Sequence, residues 1–523
     1  MQDDSLKRGQ SERRFGAILG LGGVLAGVIS GLLLTPILIR YLEKPEFGLY
    51  QLIGAFTGFL VLMDFGISGT LTRYIAKYRA ENDELRKENF FSMCLIIYTV
   101  IGILTLIVGA VIYFNLGRMF AKSVTPEELP TAKLMFAIVM GSVFATILGR
   151  AYIGAIAGYE RFIYSRAVTI GSMLAKIALI AALLAWGSGA IGVVVAEAII
   201  NLLILVLNFA YGRFLLNLRF KIHFWDWELF NEVLAYAFWL FITALVLQIN
   251  FRMGRIVLGV MKTTALVAVY AVAMQINTIY SALPGAISQV FLPQATRMVV
   301  NNSSGEELTR FMIIPSRYQL ITLGAVLSGF ILFGRQFVGL WAGPDYIEAW
   351  LIGVIVMVPI TIPLFQNTVI RILEAKALNR TRALINLGFA VTNGVVSVFL
   401  VKKFGLIGPA IGTSCVLLVG HGVILNLYYH YGVGLNMPLF FKETCRGILP
   451  VIIVTTILGI GFVYLPIGDG WFSLIARCVL FSLLYAALMW IFGMRDRERT
   501  LVRSIIHDGI LKRILPTKNS SAA

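Results

Sequence analysis

The fold is decided by residues 239–260, which read WLFITALVLQINFRMGRIVLGV. The stretch is long and apolar enough to cross a lipid bilayer as a helix. Yet it carries Gln248, Arg252 and Arg255, which fall with Gly259 within roughly 60° of one another on a helix. An arginine in hydrocarbon costs at least ~2.5 kcal/mol unless it faces water, a counter-ion or a ligand. We therefore expect a transmembrane helix whose polar face lines an interior that holds an anion, although a structural ion pair, or Arg255 reaching the membrane surface, would also explain it.

The composition places the chain among proteins that cross the membrane many times. It has 523 residues, 58% hydrophobic and only 14% charged, and its mean hydropathy is +0.84. A soluble domain has about 25% charged residues. The formal net charge of +17 does not indicate nucleic-acid binding, because the cations are spread over short loops between apolar spans. The charge is instead typical of the positive-inside rule for membrane topology.

About fourteen apolar spans follow one another, so the sequence predicts an all-α polytopic membrane protein with about 14 transmembrane helices. We expect the spans near 16–39, 48–66, 90–114, 134–157, 165–186, 190–212, 234–260, 265–293, 311–333, 347–370, 381–401, 405–429, 447–466 and 471–493. Lys and Arg concentrate in the segments that a cytoplasmic N-terminus places inside, such as those holding Lys77, Arg79 and Lys87. Both termini are therefore predicted to be cytoplasmic.

An internal repeat predicts two lobes. Residues 165–167 (SRA) recur as 381–383 (TRA), and residues 189–192 (GAIG) recur as 405–408 (GLIG) at the same spacing. Six helices in each repeat is an even number, so the lobes share one orientation and are related by a pseudo-two-fold axis along the membrane normal. The expected organisation is a cytoplasmic N-terminal segment (1–15), an N-lobe of helices 1–6 (16–212), a cytoplasmic interfacial linker (213–232), a C-lobe of helices 7–12 (233–430), two extra helices 13 and 14 (431–493) and a basic cytoplasmic tail (494–523).

Polar groups on other predicted spans are further candidates for a cavity lining. Helix 8 carries Gln275 and Gln289 on one stripe with small residues, and Arg150 lies in the inner half of helix 4. Interhelical hydrogen bonding would explain the glutamines equally well. The candidate substrate-binding residues are Arg150, Arg252, Arg255, Gln248, Gln275 and Gln289.

Two carboxylates within predicted spans are candidates for ion coupling. Glu197 in helix 6 would suit a proton or cation site, although pairing with Lys176 would explain it as well. Asp64 lies near the inner end of helix 2, where pairing with Arg73 or local capping competes with coupling. The histidines do not cluster and no P-loop is found, so we expect no enzyme, no catalytic residue, no cofactor and no metal site.

Several motifs carry a family resemblance, among them residues 73–76 (RYIA) and 291–294 (FLPQ). Residues 40–50 read RYLEKPEFGLY, residues 63–69 read MDFGISG, and residues 158–161 read GYER. In these motifs the chain resembles the polysaccharide (O-antigen type) flippases of the multidrug/oligosaccharidyl-lipid/polysaccharide exporter superfamily, over about residues 15–430. The resemblance implies two six-helix lobes around a central cavity, alternating access, and an oligosaccharide on a polyprenyl diphosphate as the substrate.

Resemblance and cationic stripe together predict a flippase in the inner (cytoplasmic) cell membrane that moves this lipid to the outer leaflet for surface polysaccharide biosynthesis. Its lipid tail would enter between helix 1, with Gly23, Gly27 and Gly31 on one face, and helix 8, with Ala282 and Gly285. The partners would be lipid-linked oligosaccharide and the membrane, with a polysaccharide polymerase and glycosyltransferases as further candidates.

Three alternatives stay open. A peptidoglycan-precursor flippase would share the cationic cavity, whereas a multidrug exporter of the same fold would favour acids over arginines. A non-transporting scaffold of a polysaccharide assembly complex would keep its partner contacts without Arg252.

Overall fold

The computed structural model describes residues 27–61, 67–376, 378–496, 498–500 and 503. Within these ranges the chain forms helices joined by short connections, and it contains no β-strand. The all-α prediction is therefore confirmed. Nine of the described helices are long and apolar enough to cross a membrane, or ten if one bent pair is counted as a single span.

The helices of the first half are α1 (Gly27–Tyr41), α2 (Lys44–Val61), α3 (Ile67–Ala80), α4 (Glu84–Met119), α5 (Leu129–Gly158), α6 (Phe162–Ala185), α7 (Gly189–Ala210), α8 (Trp227–Met261) and α9 (Thr264–Val300). The second half contains α10 (Gly305–Trp341), α11 (Glu348–Phe365), α12 (Asn367–Ala375), α13 (Asn379–Phe404), α14 (Gly408–Val419), α15 (Leu425–Leu427), α16 (Met437–Cys445), α17 (Ile448–Val463) and α18 (Trp471–Leu488). Every predicted span is helical where the structure describes it, but the span 347–370 covers α11 and part of α12, and the span 405–429 covers α14 and α15. Two helices, α3 and α16, lie between predicted spans.

Polar N-cap side chains mark the beginning of several of these helices. Asp83 and Asp226 accept hydrogen bonds from the first-turn amides of α4 and α8, at 2.9 Å each. Ser304 and Glu307 form a reciprocal capping box at the start of α10. These contacts satisfy amides that have no partner within the helix, so they set where each helix begins.

Large apolar side chains cover the outer surface of the helices. On α4, Val111 is 60% exposed and Phe114 76%, and on α18, Leu483 is 63% exposed. A soluble protein rarely exposes such continuous apolar surface. In hydrocarbon the same surface costs nothing, so the chain is a multi-pass membrane protein.

The described residues pack into two compact units. The first contains the residues up to Ala282, Asp345–Ile360 and the stretch 378–425. The second contains Leu283–Pro344, Thr361–Lys376 and the residues from Asn426 onward. The two six-helix lobes and the other boundaries expected from the sequence stay a prediction.

The motif at residues 40–50 joins three helices of the first unit. Glu46 accepts a 2.6 Å hydrogen bond from the amide of Ala190, which caps the start of α7. Gly189 has a φ of +59°, and a Cβ there would collide with the Glu46 carboxylate, so this turn requires glycine. A Cβ on Gly48 would overlap the Thr264 carbonyl at the start of α9. The motif therefore packs α2 tightly against the starts of α7 and α9.

The basic tail begins with contacts inside the second unit. Arg317 of α10 is 1% exposed and forms an ion pair with Glu498, which is 3% exposed. The same guanidinium donates to the backbone carbonyls of Glu443 and Gly493, at 3.0 and 2.8 Å. Arg495 donates to the Glu443 carboxylate at 2.6 Å, and this hydrogen bond holds the pKa of Glu443 below its usual value. The start of the tail is therefore anchored to the helices rather than lying free.

Candidate functional site

A polar cavity of about 240 Å³ opens within the first unit, between α2, α5, α7 and α8. Each helix contributes polar or small side chains at helical spacing, so that one stripe of each faces the space. The cavity is lined by Thr57, Gly58, Val139, Ser142, Val143, Thr146, Val194, Glu197, Asn201, Gln248 and Arg252. The structure thus brings three sequence-predicted residues into one site: Gln248, Arg252 and Glu197.

Arg252 reaches from α8 across to the backbone of α2. Its Nη1 donates a 2.5 Å hydrogen bond to the carbonyl of Gly54. The guanidinium lies directly over Gly58, where any Cβ would overlap it. Gly58 therefore makes the space in which the guanidinium lies. Five donors on a fixed planar group leave N–H capacity beyond this bond for an anion.

Arg255 lies one turn further along α8 and is not among the residues that line the cavity. Its Nη1 donates to Gln51 Oε1 of α2 at 3.2 Å, and its buried Nε has no hydrogen-bond partner. Among the described residues, neither Arg252 nor Arg255 forms an ion pair with a carboxylate. In these ranges neither arginine therefore forms a direct ion pair, although Glu197 lines the same cavity as Arg252 and is close enough to attract its charge.

Glu197 has two partners at the edge of the cavity. The Lys176 ammonium of α6 lies 2.5 Å from Glu197 Oε1, and the Tyr50 hydroxyl donates to the same oxygen at 2.9 Å. The carboxylate charge is thus offset by a lysine, and this pairing is one of the two explanations that the sequence leaves open. Because Glu197 is neutralised in this way, the arginine charge dominates the cavity.

The remaining predicted site residues lie in different places. Arg150 is half-buried on α5, one turn beyond Thr146 on the face that lines the cavity. Gln275 lies on α9 against Gly31 of α1, where a Cβ would overlap its amide. Neither residue is part of the cavity lining.

Some predicted positions cannot be placed. Asp64 and Gly23 lie outside the described residues, and so does the side chain of Gln289. The contact of Gly31 with Gln275 nevertheless brings together the first and eighth predicted helices, the pair expected to form a lipid portal.

Sequence reasoning missed the contribution of α2. Gln51, Gly54 and Gly58 recur at i, i+3 and i+7, and Thr57 lies beside them, so α2 presents a polar and small stripe toward α8. The helical periodicity that reveals the stripe of Gln248, Arg252 and Arg255 would also have revealed this one. On the other side of the cavity, Asn201 of α7 donates a 2.8 Å hydrogen bond to the Ser142 hydroxyl of α5, so these two helices also meet through polar side chains.

Comparison with known proteins adds a family and a fold. The family model described as polysaccharide biosynthesis protein matches residues 16–299. A relative named probable flippase AglR, from Haloferax volcanii, is 24% identical over 430 residues, which is 77% of this chain and 80% of the relative.

Two solved structures share the fold. The lipid II flippase MurJ in an inward closed conformation superposes with a TM-score of 0.71 at 16% identity, over 95% of this chain and 99% of the other. An inward-facing multidrug resistance MATE family transporter of the MOP superfamily gives a TM-score of 0.59 at 14% identity, over 77% and 96%. The chain therefore has the fold of these transporters.

Proposed function

Because the chain belongs to the polysaccharide biosynthesis protein family, we propose that it is a flippase that carries an oligosaccharide on a polyprenyl diphosphate from the cytoplasmic to the outer leaflet of the cell membrane. The observation that carries this proposal is Arg252 in the lining of a membrane-embedded cavity whose acidic residue, Glu197, is already paired. A diphosphate with a sugar head cannot cross hydrocarbon, because charge and hydroxyl groups lose their water there. A guanidinium offers two parallel hydrogen bonds to phosphate oxygens together with a positive charge.

The mechanism follows from the different needs of the two ends of the substrate. The prenyl tail is as apolar as the bilayer and can stay in it, entering where α1 meets α9. The head moves through the polar cavity, where Arg252 offsets the diphosphate charge, and Arg255, one turn further along α8, adds positive charge beside the cavity. At about 240 Å³, the cavity is smaller than the ~300–1,000 Å³ of ordinary ligand sites, so its helices must separate to admit the head. Alternating opening toward the two membrane faces then moves the head across.

The multidrug alternative fits the site less well. Cationic drugs are attracted by carboxylates, whereas here the carboxylate holds a lysine and the unpaired charges are positive. A peptidoglycan-precursor flippase would use the same diphosphate contacts, so the sugar head must be varied to separate the two. A scaffold would require no charge in the cavity.

Reconstituted vesicles provide the test. We expect Arg252→Ala and Arg255→Ala to abolish translocation of a polyprenyl-diphosphate oligosaccharide at equal protein insertion, and Arg252→Lys to retain part of it because the charge stays. Arg118→Ala removes an exposed cation at the end of α4, outside the cavity, and should leave transport unchanged. Normal transport by the double alanine variant would refute the proposal, and equal transport of a lipid that carries a peptidoglycan precursor would favour that alternative.

A further inference from the structure

A second pocket of about 310 Å³ lies at the predicted cytoplasmic end of α4, α5 and α7. Its lining combines three cations with aromatic rings, among them Arg213, Arg219, Lys221, Phe91, Tyr152 and Phe209. Within the part of the chain that the structure describes, none of these three cations forms an ion pair or a side-chain hydrogen bond. The pocket therefore presents uncompensated positive charge.

The backbone that carries these cations is held in place. The amide of Lys221 donates to Ser92 Oγ at 2.8 Å, and the amides of His223 and Phe224 donate to Asn89 Oδ1 at 2.9 and 3.1 Å. Asn89 and Ser92 are buried in α4. The interfacial linker is thus fixed to the helices, so the cations are positioned beside the pocket at little further cost in backbone entropy.

An apolar groove of about 380 Å³ adjoins this pocket. Its lining comes from α4, α5 and α7 and includes Leu95, Leu148 and Val206. Tyr152 and Phe209 line both spaces and pack edge to face, with ring centroids 5.6 Å apart, so the cationic pocket and the apolar groove adjoin across this aromatic pair. Val206 is 52% exposed and Phe209 46%, so the groove is open to the surrounding lipid.

This paired site is separate from the polar cavity. On α5, the cavity residues Val139, Val143 and Thr146 share one face, whereas Leu148 and Tyr152 lie on roughly the opposite face. A lipid in the groove would therefore have the whole of α5 between its head and Arg252. The pocket therefore lies outside the path that is proposed for the substrate head.

We propose that the pocket formed by Arg213, Arg219 and Lys221 and the adjoining groove bind an anionic glycerophospholipid of the cytoplasmic leaflet, with its phosphate among the cations and an acyl chain in the groove. Charge complementarity selects the head, and the apolar lining selects a chain. Anionic lipids lie on the cytoplasmic side and attract basic segments beside the membrane. The lipid would brace the interfacial linker against α4, α5 and α7 while the cavity works.

Binding to the purified full-length chain in detergent tests this proposal without any transport measurement. In native mass spectrometry, phosphatidylglycerol should bind more tightly than phosphatidylethanolamine or phosphatidylcholine, by more than tenfold. The combined variant Arg213→Gln, Arg219→Gln and Lys221→Gln should weaken it by about fivefold for each cation removed. A matched variant, Arg161→Gln, Arg297→Gln and Arg310→Gln, removes three cytoplasmic cations that do not line the pocket and should bind as the unmodified protein does.

Further arms identify the occupant. Val206→Trp fills the groove but keeps every charge, and it should also weaken phosphatidylglycerol binding. Glycerol phosphate, which has the head without a chain, should compete poorly with phosphatidylglycerol on the unmodified protein. Tighter binding of a polyprenyl phosphate than of phosphatidylglycerol, equal binding of zwitterionic lipids, or full competition by glycerol phosphate would overturn the proposal.

Discussion

A single methyl group at Gly58 should displace the cavity arginine without removing its charge. A Cβ at this position would overlap the guanidinium of Arg252, whereas a Cβ at Gly54, one turn earlier on α2, would meet nothing within 4 Å. Gly58→Ala and Gly54→Ala add the same atom to the same helix. Each should gain about 1 kcal/mol from the better helix propensity of alanine. Comparing the two variants therefore distinguishes the effect of moving the guanidinium from the effect of stabilising α2.

The size of the effect follows from the contact that Gly58→Ala breaks. The displaced guanidinium loses its 2.5 Å hydrogen bond to the Gly54 carbonyl. Hydrogen bonds to charged groups contribute about 1.5–3 kcal/mol. If the guanidinium has to hold the substrate anion at this place, Gly58→Ala should slow translocation by about 10- to 150-fold, because each 1.36 kcal/mol is a factor of ten.

The assay is the transfer of a labelled polyprenyl-diphosphate oligosaccharide across reconstituted vesicles, at equal amounts of inserted protein. Gly54→Ala should transport at the rate of the unmodified chain. Thermal unfolding of both variants shows whether the fold is intact. Equal rates for Gly58→Ala and Gly54→Ala would refute the reasoning, since the guanidinium would then be free to work from elsewhere.

Three further predictions concern other contacts of the structure. Lys176→Met should lower the stability of the protein by about 1–3 kcal/mol, because Glu197 loses its cation, and adding Glu197→Gln should restore much of it; a double variant no more stable than Lys176→Met would show that the pair is not what matters. Cysteines at Gly31 and Gln275, in a chain without its native cysteines, should crosslink with a short cleavable thiol reagent and block transport until cleaved; transport by the crosslinked protein would exclude opening at this contact. Glu443→Gln should remove a pH dependence of the free energy of unfolding. Because the pKa of Glu443 is lowered in the folded chain, its carboxylate stabilises the fold fully above the ordinary carboxyl pKa of about 4.3. This stabilisation is lost as the pH falls through the lower folded pKa. Identical melting curves of this variant and the unmodified chain from neutral to acidic pH would contradict it.

Sequence patterns alone determined the fold class and predicted a cationic face on one membrane helix. Apolar spans of bilayer length can only be satisfied as helices, because the membrane offers no partner to backbone amides. The charged stripe on residues 239–260 could also be interpreted from the sequence, because an arginine in hydrocarbon requires polar surroundings whichever helices lie beside it. Span length and charge pattern can therefore be interpreted without knowing which helices are in contact.

Which groups meet was decided only by the tertiary structure. Glu197 and Lys176 are on different helices, and periodicity could suggest their pairing but not exclude a free carboxylate. The hydrogen bond of Arg252 to α2 depends on Gly54 and Gly58, whose helical spacing is visible in the sequence but whose contact with α8 is not. The second pocket joins α7 and the linker that follows it to α4 and α5, and its lining residues Phe91, Tyr152 and Phe209 are far apart in sequence. Contacts of this kind depend on how helices pack and rotate against one another, and a sequence specifies that packing only through many small side-chain fits summed over the whole chain.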